Sequence, residues 1–138
     1  QKALHYAARR ARRTGGRLAL LRVLEPESFQ PWMAVEALLE TEARSEAERA
    51  LQDAAAEGRA LSGAICAFHL REGKPGEALL DALSEDAAIS VLVLGADSGP
   101  KGPGPLVRLL VEKMRGRFKT PVTIVPDQLT DEEIDAIA

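Results

Sequence analysis

The chain is poor in the residues that hold small extracellular or metal-bound proteins together. Its 138 residues include a single cysteine, Cys66. One cysteine excludes an intrachain disulfide and a multi-cysteine zinc site, and it favours a reducing compartment. No apolar run approaches the roughly 20 residues of a membrane-spanning helix, and the N-terminal residues lack the apolar core of a signal peptide. We therefore predict a cytoplasmic protein with no membrane segment, no metal cluster and no redox cofactor.

An excess of positive charge is also lacking. The 18 basic residues stand against 21 acidic ones, which gives a net charge of −3 at pH 7. Proteins that bind the phosphate backbone of nucleic acids present a basic surface, so we expect no nucleic-acid partner. No serine stands in a nucleophile-elbow motif either. The sequence therefore does not indicate a dedicated hydrolase.

The sequence does contain a regular alternation of helical and strand-like patterns. Apolar spacing, with glycine and proline at the boundaries, predicts helices at 2–14, 33–61, 77–85 and 106–115 and strands at 17–24, 63–71, 89–94 and 121–125. This alternation predicts an α/β fold, a doubly wound parallel sheet with helices on both faces. The unbroken apolar runs of the first and third strands further predict that helices cover both of their faces.

The length fits one domain, since domains usually have about 100–200 residues, and we assign that domain to residues 1–126. Residues 127–138 form a C-terminal tail, in which Thr130 and Glu133 have the spacing of a capping box and predict a short helix. An open doubly wound sheet normally begins with a strand, whereas a helical pattern follows Gln1 directly. This order predicts that a first strand was removed, is disordered or precedes Gln1.

Several segments carry a resemblance to a known family. They are Ala3–Leu4 with Ala7–Ala8, then 18–23, 71–80, 90–95 and 121–126, with 131–135 at the end. In order and spacing these segments resemble successive blocks of the universal stress protein family. The resemblance implies a five-stranded parallel sheet of order 3-2-1-4-5, whose ligand crevice opens at the carboxyl ends of the first and fourth strands. It also implies a stress-response domain that acts by binding rather than as an enzyme, with slow hydrolysis of ATP as the one activity left open.

The glycine-rich segment 95–105 follows the third predicted strand, which corresponds to the family's fourth strand. The segment therefore lies at the expected crevice. ATP-binding members of the family carry G-x-x-G, nine further residues, and then glycine followed by serine or threonine. Gly95 matches the first glycine, but Ser98 stands where the second is expected, and no Gly-Ser or Gly-Thr pair follows. The resemblance implies a degenerate site for ATP or AMP made of Gly95, Ala96, Ser98, Gly99, Lys101 and Gly102. Lys101 or Arg108 would offer charge to phosphate; the alternative is a proline-stiffened turn.

Aromatic residues are scarce, at 4% of the chain, and two of them follow the first predicted strand. Phe29 and Trp32 are expected at the same edge of the sheet as the glycine-rich segment. They either form a lid over a ligand base or attach their own loop to the long helix that follows. The acidic residue that the family places near the adenine lies on the family's first strand, the one that is missing before the predicted helix at 2–14.

The last predicted strand is expected at the edge of the sheet, where unpaired backbone groups invite a partner strand. In the resembled family the corresponding strands pair across a two-fold axis, which implies a homodimer through the segment from Pro121 to Pro126. The alternative is that these prolines and the tail cap the edge. Two functions therefore stay open, a nucleotide-binding dimer and a nucleotide-free dimeric module that recruits a protein partner.

Overall fold

The computed structural model describes residues 2–25, 36–114 and 116–138. Helices and strands alternate through these ranges, in the order α1 (Lys2–Thr14), β1 (Ala19–Leu24), α2 (Glu36–Ser62), β2 (Ala67–Glu72), α3 (Pro75–Glu85), β3 (Leu92–Ala96), α4 (Pro105–Glu112), β4 (Val122–Pro126) and α5 (Asp131–Ile137). All strand pairs in the described ranges are parallel. The predicted α/β alternation is confirmed.

Local signals mark the ends of several elements as predicted. Helix α1 ends before Gly15, whose φ of +73° is a left-handed conformation that glycine adopts at low cost. At the start of α5, the Thr130 hydroxyl accepts a hydrogen bond from the Glu133 N–H, and the Glu133 carboxylate accepts one from the Thr130 N–H. The capping box is therefore present with both of its hydrogen bonds.

Strand β3 lies later in the chain than its apolar run predicts. The expected range was 89–94, whereas the strand runs from Leu92 to Ala96. The reason is the pairing with β4, since the N–H of Leu92 donates to the carbonyl of Pro121 and the register continues to Ala96 opposite Pro126. Partner hydrogen bonds, and not hydrophobicity, set the ends of this strand.

The strands form two parallel pairs. Strand β1 pairs with β2, with Ala19 opposite Ala67, and β3 pairs with β4, with Leu92 opposite Val122. Within the described ranges no ladder joins the two pairs. Because the family's first strand is missing here, β1 to β4 correspond to strands 2 to 5 of the order 3-2-1-4-5. Strands 2 and 3, and strands 4 and 5, are neighbours in that order, which fits the two observed pairs. The complete order stays a prediction.

Helices pack on the strands in two groups. Helices α1 and α2 contact one another, and α2 contacts both β1 and β2, while α3 packs on β1 and α4 on β3. Each group has its own apolar core. The first core contains Leu4, Ala8, Ala11, Leu18, Ala55 and Cys66, and the second contains Leu79, Leu110 and Met114. The two cores match the expected layers of helices.

Helices lie against β1 and β3 as expected, with α2 and α3 contacting β1 and α1 and α4 contacting β3, but they do not bury these strands completely. The side chains of Leu92, Val93 and Leu94 are only half-buried, and in β1 Ala19 and Arg22 are exposed while the other four residues are half-buried. Each of these strands has one strand neighbour in the described ranges, so part of its surface stays accessible. An unbroken apolar run reports that a strand is hydrophobic, but not how many neighbours it has.

Helix α5 packs against α1 and joins the two ends of the chain. Ile134 is 0% exposed at this contact. Around it, the Lys2 ammonium lies 2.9 Å from an Asp131 carboxylate oxygen, and His5 Nε2 lies 2.7 Å from an oxygen of Asp135. The Arg9 guanidinium donates to the same Asp135 oxygen at 2.9 Å. Segment 127–138 is thus docked on the domain by two buried side chains, those of Ile134 and Ala138, and by a group of ion pairs at their edge.

Candidate functional site

The glycine loop (residues 97–104) connects β3 to α4 at the carboxyl ends of β3 and β4. Its shape is held by internal backbone bonds, from the Asp97 N–H to the Pro103 carbonyl and from the Gly102 N–H to the Gly99 carbonyl. Gly102 has a φ of +92° and Gly104 a φ of +107°, a region that other residues rarely adopt. The sequence thus uses glycine where the backbone must turn sharply before α4 begins.

The structure brings four of the six predicted site residues together in this loop. Ser98, Gly99, Lys101 and Gly102 all lie within it. Gly95 and Ala96 lie instead in β3, opposite Val125 and Pro126 of β4. A Cβ added to Gly95 would lie 3.6 Å from the Cβ of Ala3, so this position lies close to α1. The predicted lid residues, Phe29 and Trp32, lie outside the described residues.

A guanidinium lies over the glycine loop. Arg108, on the first turn of α4, donates from Nη2 to the Lys101 carbonyl oxygen at 2.7 Å. A Cβ on Gly102 would overlap this guanidinium, so the glycine leaves the space that the arginine occupies. Because a guanidinium is a fixed cation with several donors, the loop carries a positive group already oriented at its surface.

A carboxylate that the sequence analysis missed also touches the loop. Asp127 follows β4 directly, and one of its carboxylate oxygens accepts a hydrogen bond from the Ser98 N–H at 3.1 Å. Hydrogen bonds from the Ser98 side chain and backbone hold the pKa of Asp127 below its usual range. The signal for this contact was available, because residues that follow two paired parallel strands meet at the same edge of a sheet.

Charged residues of both signs therefore lie in or beside the glycine loop. Lys101 and Arg108 contribute cationic groups, and Asp97 and Asp127 contribute acidic ones. Backbone N–H groups at a glycine-rich turn before a helix are the usual donors to a phosphate or another anion. Here the donor of Ser98 is taken by the chain's own carboxylate. A small anionic group binds this amide only if it displaces the Asp127 carboxylate from it.

An apolar groove lies beside the same strands. It has a volume of about 440 Å³ and is lined by side chains of β3, β4 and α4 together with Phe118. Ile124 on β4 is 43% exposed and Val111 on α4 is 58% exposed, and both line the groove. An exposed apolar surface next to a strand with one unpaired side is a typical protein contact.

Other kinds of site find less support. In the described part of the chain, no three His, Cys, Asp or Glu residues cluster closely enough to hold a metal ion. Among the described helices, none is both long and apolar enough to cross a membrane. The glycine loop and the apolar groove are accordingly the two candidate binding surfaces in the described part of the chain.

The chain is similar to universal stress proteins along most of its length. The model of the Universal stress protein family matches residues 1–126. A crystal structure of a protein from the universal stress protein family from Burkholderia pseudomallei is 26% identical, with a TM-score of 0.68, over 90% of this chain and 84% of that one. A crystal structure of a hypothetical protein, 20% identical with a TM-score of 0.64 over 92% and 88% of the two chains, supports the fold alone. No curated protein matches the sequence.

Proposed function

The chain belongs to the universal stress protein family, and from that membership we propose that it is a cytoplasmic stress-response domain that binds an adenine nucleotide, ATP or AMP, at the glycine loop. Universal stress proteins are generally not enzymes, so we expect it to act through the bound state and through its partners. The observation that carries this proposal is the Arg108 guanidinium held over Gly102. A fixed cation beside glycines of positive φ, at the carboxyl ends of parallel strands, suits a phosphate group.

Isothermal titration calorimetry with ATP and with AMP tests the nucleotide site. Charge-assisted hydrogen bonds contribute about 1.5–3 kcal/mol, so we expect Arg108→Gln to weaken nucleotide binding by about tenfold or more. Arg49→Gln is the matched control, because it removes the same charge from an exposed position on α2. If the protein binds neither nucleotide, or if both variants lose affinity equally, the glycine loop is not the nucleotide site.

We further propose that the domain is a homodimer through β4. The support is the apolar groove with exposed Ile124 at its wall, next to a strand that has one ladder partner in the described ranges. Universal stress proteins are commonly oligomeric. Sedimentation of the 14.8 kDa chain should give a dimer for the wild type and a monomer for Ile124→Lys. Ile65→Lys, at a residue that is 83% exposed and outside the groove, should stay dimeric.

The second candidate function is a nucleotide-free dimeric module that recruits a protein partner. It is favoured by the contact of Asp127 with the Ser98 N–H, which occupies one of the donors that the loop would offer to a phosphate. Native mass spectrometry of the protein purified from its host separates the two functions. A dimer that carries the mass of AMP or ATP supports the first, whereas an empty dimer that also ignores millimolar ATP supports the second.

A further inference from the structure

The contact of Asp127 with the glycine loop is the feature that a phosphate-binding function does not explain. We propose that Asp127 is a specificity-determining residue, which makes the loop select adenine ligands with few phosphate charges, adenosine or AMP, against ATP. This inference rests on the proposed nucleotide-binding function, and it names the class of ligand that the site takes.

The Asp127 carboxylate is attached to a backbone segment that is held in place. The backbone of Asp127 is anchored, because its N–H donates to the Ala96 carbonyl oxygen at 3.0 Å and so extends the β3–β4 ladder by one bond. On its other side the chain runs within a few residues into α5, which Ile134 fixes to the domain. With the backbone held at both ends, a ligand can displace the carboxylate only by rotation of the Asp127 side chain.

The Asp127 carboxylate accepts its hydrogen bond from a backbone amide of the glycine loop. The Ser98 N–H points at Asp127 with a donor–acceptor distance of 3.1 Å. Asp97, just before it, already donates its N–H to the Pro103 carbonyl, and Gly102 donates to Gly99. Of these three loop amides, only that of Ser98 faces a side chain rather than the loop's own backbone. A phosphate that used this amide would meet the Asp127 carboxylate there.

A ligand at the glycine loop meets charged residues of both signs. The two cations, Lys101 and Arg108, are offset by the two acidic residues, Asp97 and Asp127, so the loop as a whole has no excess positive charge. A triphosphate brings more negative charge than such a loop compensates. A monophosphate needs only one cation, and the Arg108 guanidinium is already in place. Asp127 is exposed, and repulsion between like charges a few ångströms apart at such a position changes affinity by about fivefold to tenfold.

The test compares ligands of increasing charge on the full chain. Adenosine, AMP, ATP and inorganic pyrophosphate are titrated by calorimetry against the wild type and against Asp127→Asn, which keeps the size of the side chain and removes its charge. We expect Asp127→Asn to strengthen ATP binding about fivefold to tenfold, AMP binding by less, and adenosine binding not at all. The affinity ratio of ATP to AMP is therefore the readout.

Two control variants separate charge from structure. Asp127→Glu keeps the charge and should keep the wild-type preference for few phosphates. Asp53→Asn removes one negative charge from an exposed position on α2 and should leave the ratio of ATP to AMP unchanged. Unfolding curves confirm that each variant is folded, and the NMR shift of the Ser98 amide should move in Asp127→Asn whether or not a ligand binds.

The outcomes distinguish this inference from the proposed function. If the wild type binds nucleotides but Asp127→Asn leaves the ratio of ATP to AMP unchanged, the role of Asp127 is wrong and the nucleotide site stands. If no variant binds an adenine ligand while Asp127→Asn gains pyrophosphate binding, the nucleotide is wrong and Asp127 still governs anion charge. If no variant binds any of the four ligands, both are wrong.

Discussion

The contact between α5 and α1 gives the sharpest prediction about stability, through one side chain. Ile134 is fully buried at this contact, whereas Ile137 on the same helix is 55% exposed. Truncation of both residues to alanine removes the same atoms and makes a similar change in helix propensity. The two variants therefore differ mainly in how much buried apolar contact is lost.

The expected magnitude follows from burial. Ile134→Ala deletes about three carbon atoms, and a transfer free energy of about 0.8 kcal/mol for each gives a loss of about 2.4 kcal/mol. The cavity that is left raises the total to about 2.5–4 kcal/mol, within the usual range for such truncations. For Ile137→Ala, at a mostly exposed position, we expect a change of about 0.5 kcal/mol.

Urea unfolding followed by circular dichroism measures both values. The midpoint should fall for Ile134→Ala at an unchanged slope, because a loss of stability without a change in compactness leaves the slope constant. Ile134→Val is a second step in the series and should cost about 0.5–1.5 kcal/mol. Equal losses for Ile134→Ala and Ile137→Ala would refute the reasoning, since they would mean that α5 is not docked through Ile134. A lower slope for Ile134→Ala would show that α5 detaches before the rest unfolds.

Three further predictions concern acid, the glycine loop and the buried thiol. A hydrogen bond to His5 lowers the pKa of Asp135 from 3.8, so its stabilisation is present above that value and is lost as the pH falls through the lower folded value; Asp135→Asn should shrink the stability difference between pH 6 and pH 3 in urea titrations. Gly102→Ala should cost about 1–2 kcal/mol because its φ is +92°, while Gly99→Ala, with no atom within 4 Å of the added Cβ, should leave the melting temperature unchanged. Burial raises the pKa of the Cys66 thiol, so iodoacetamide should alkylate the native protein at least about tenfold more slowly than the urea-unfolded chain; equal rates would contradict its burial.

The parts of the fold that depend on neighbouring residues could be predicted from the sequence. Helix α1 and its end before Gly15, and the capping box of Thr130 and Glu133, are set by residues within one or two turns of each other. The alternation of elements follows from apolar spacing in the same way. These features need no knowledge of what lies across the molecule, and the structure confirms them.

The features that failed or were missed depend on distant partners. The shift of β3 to Leu92 and its half-buried faces reflect pairing with β4 and the number of strand neighbours, which an apolar run does not encode. The contact between Ser98 and Asp127 joins residues that are 29 positions apart, and that between His5 and Asp135 joins residues 130 positions apart. Such contacts could be found only from the register of β3 and β4 or the docking of α5.

The charges around the glycine loop separate its two interpretations better than the glycine spacing does. A proline-stiffened turn accounts for the backbone bonds within residues 97–104, because any tight connection needs them. It does not require Arg108 to lie over Gly102, nor a carboxylate from the end of β4 on the Ser98 amide. The spacing of a glycine motif indicates which backbone conformations the loop can adopt, whereas the positions of its charged side chains indicate which ligand it can bind. Substitutions of Arg108 and Asp127 are therefore more informative about this loop than substitutions of its glycines, which change the turn under either interpretation.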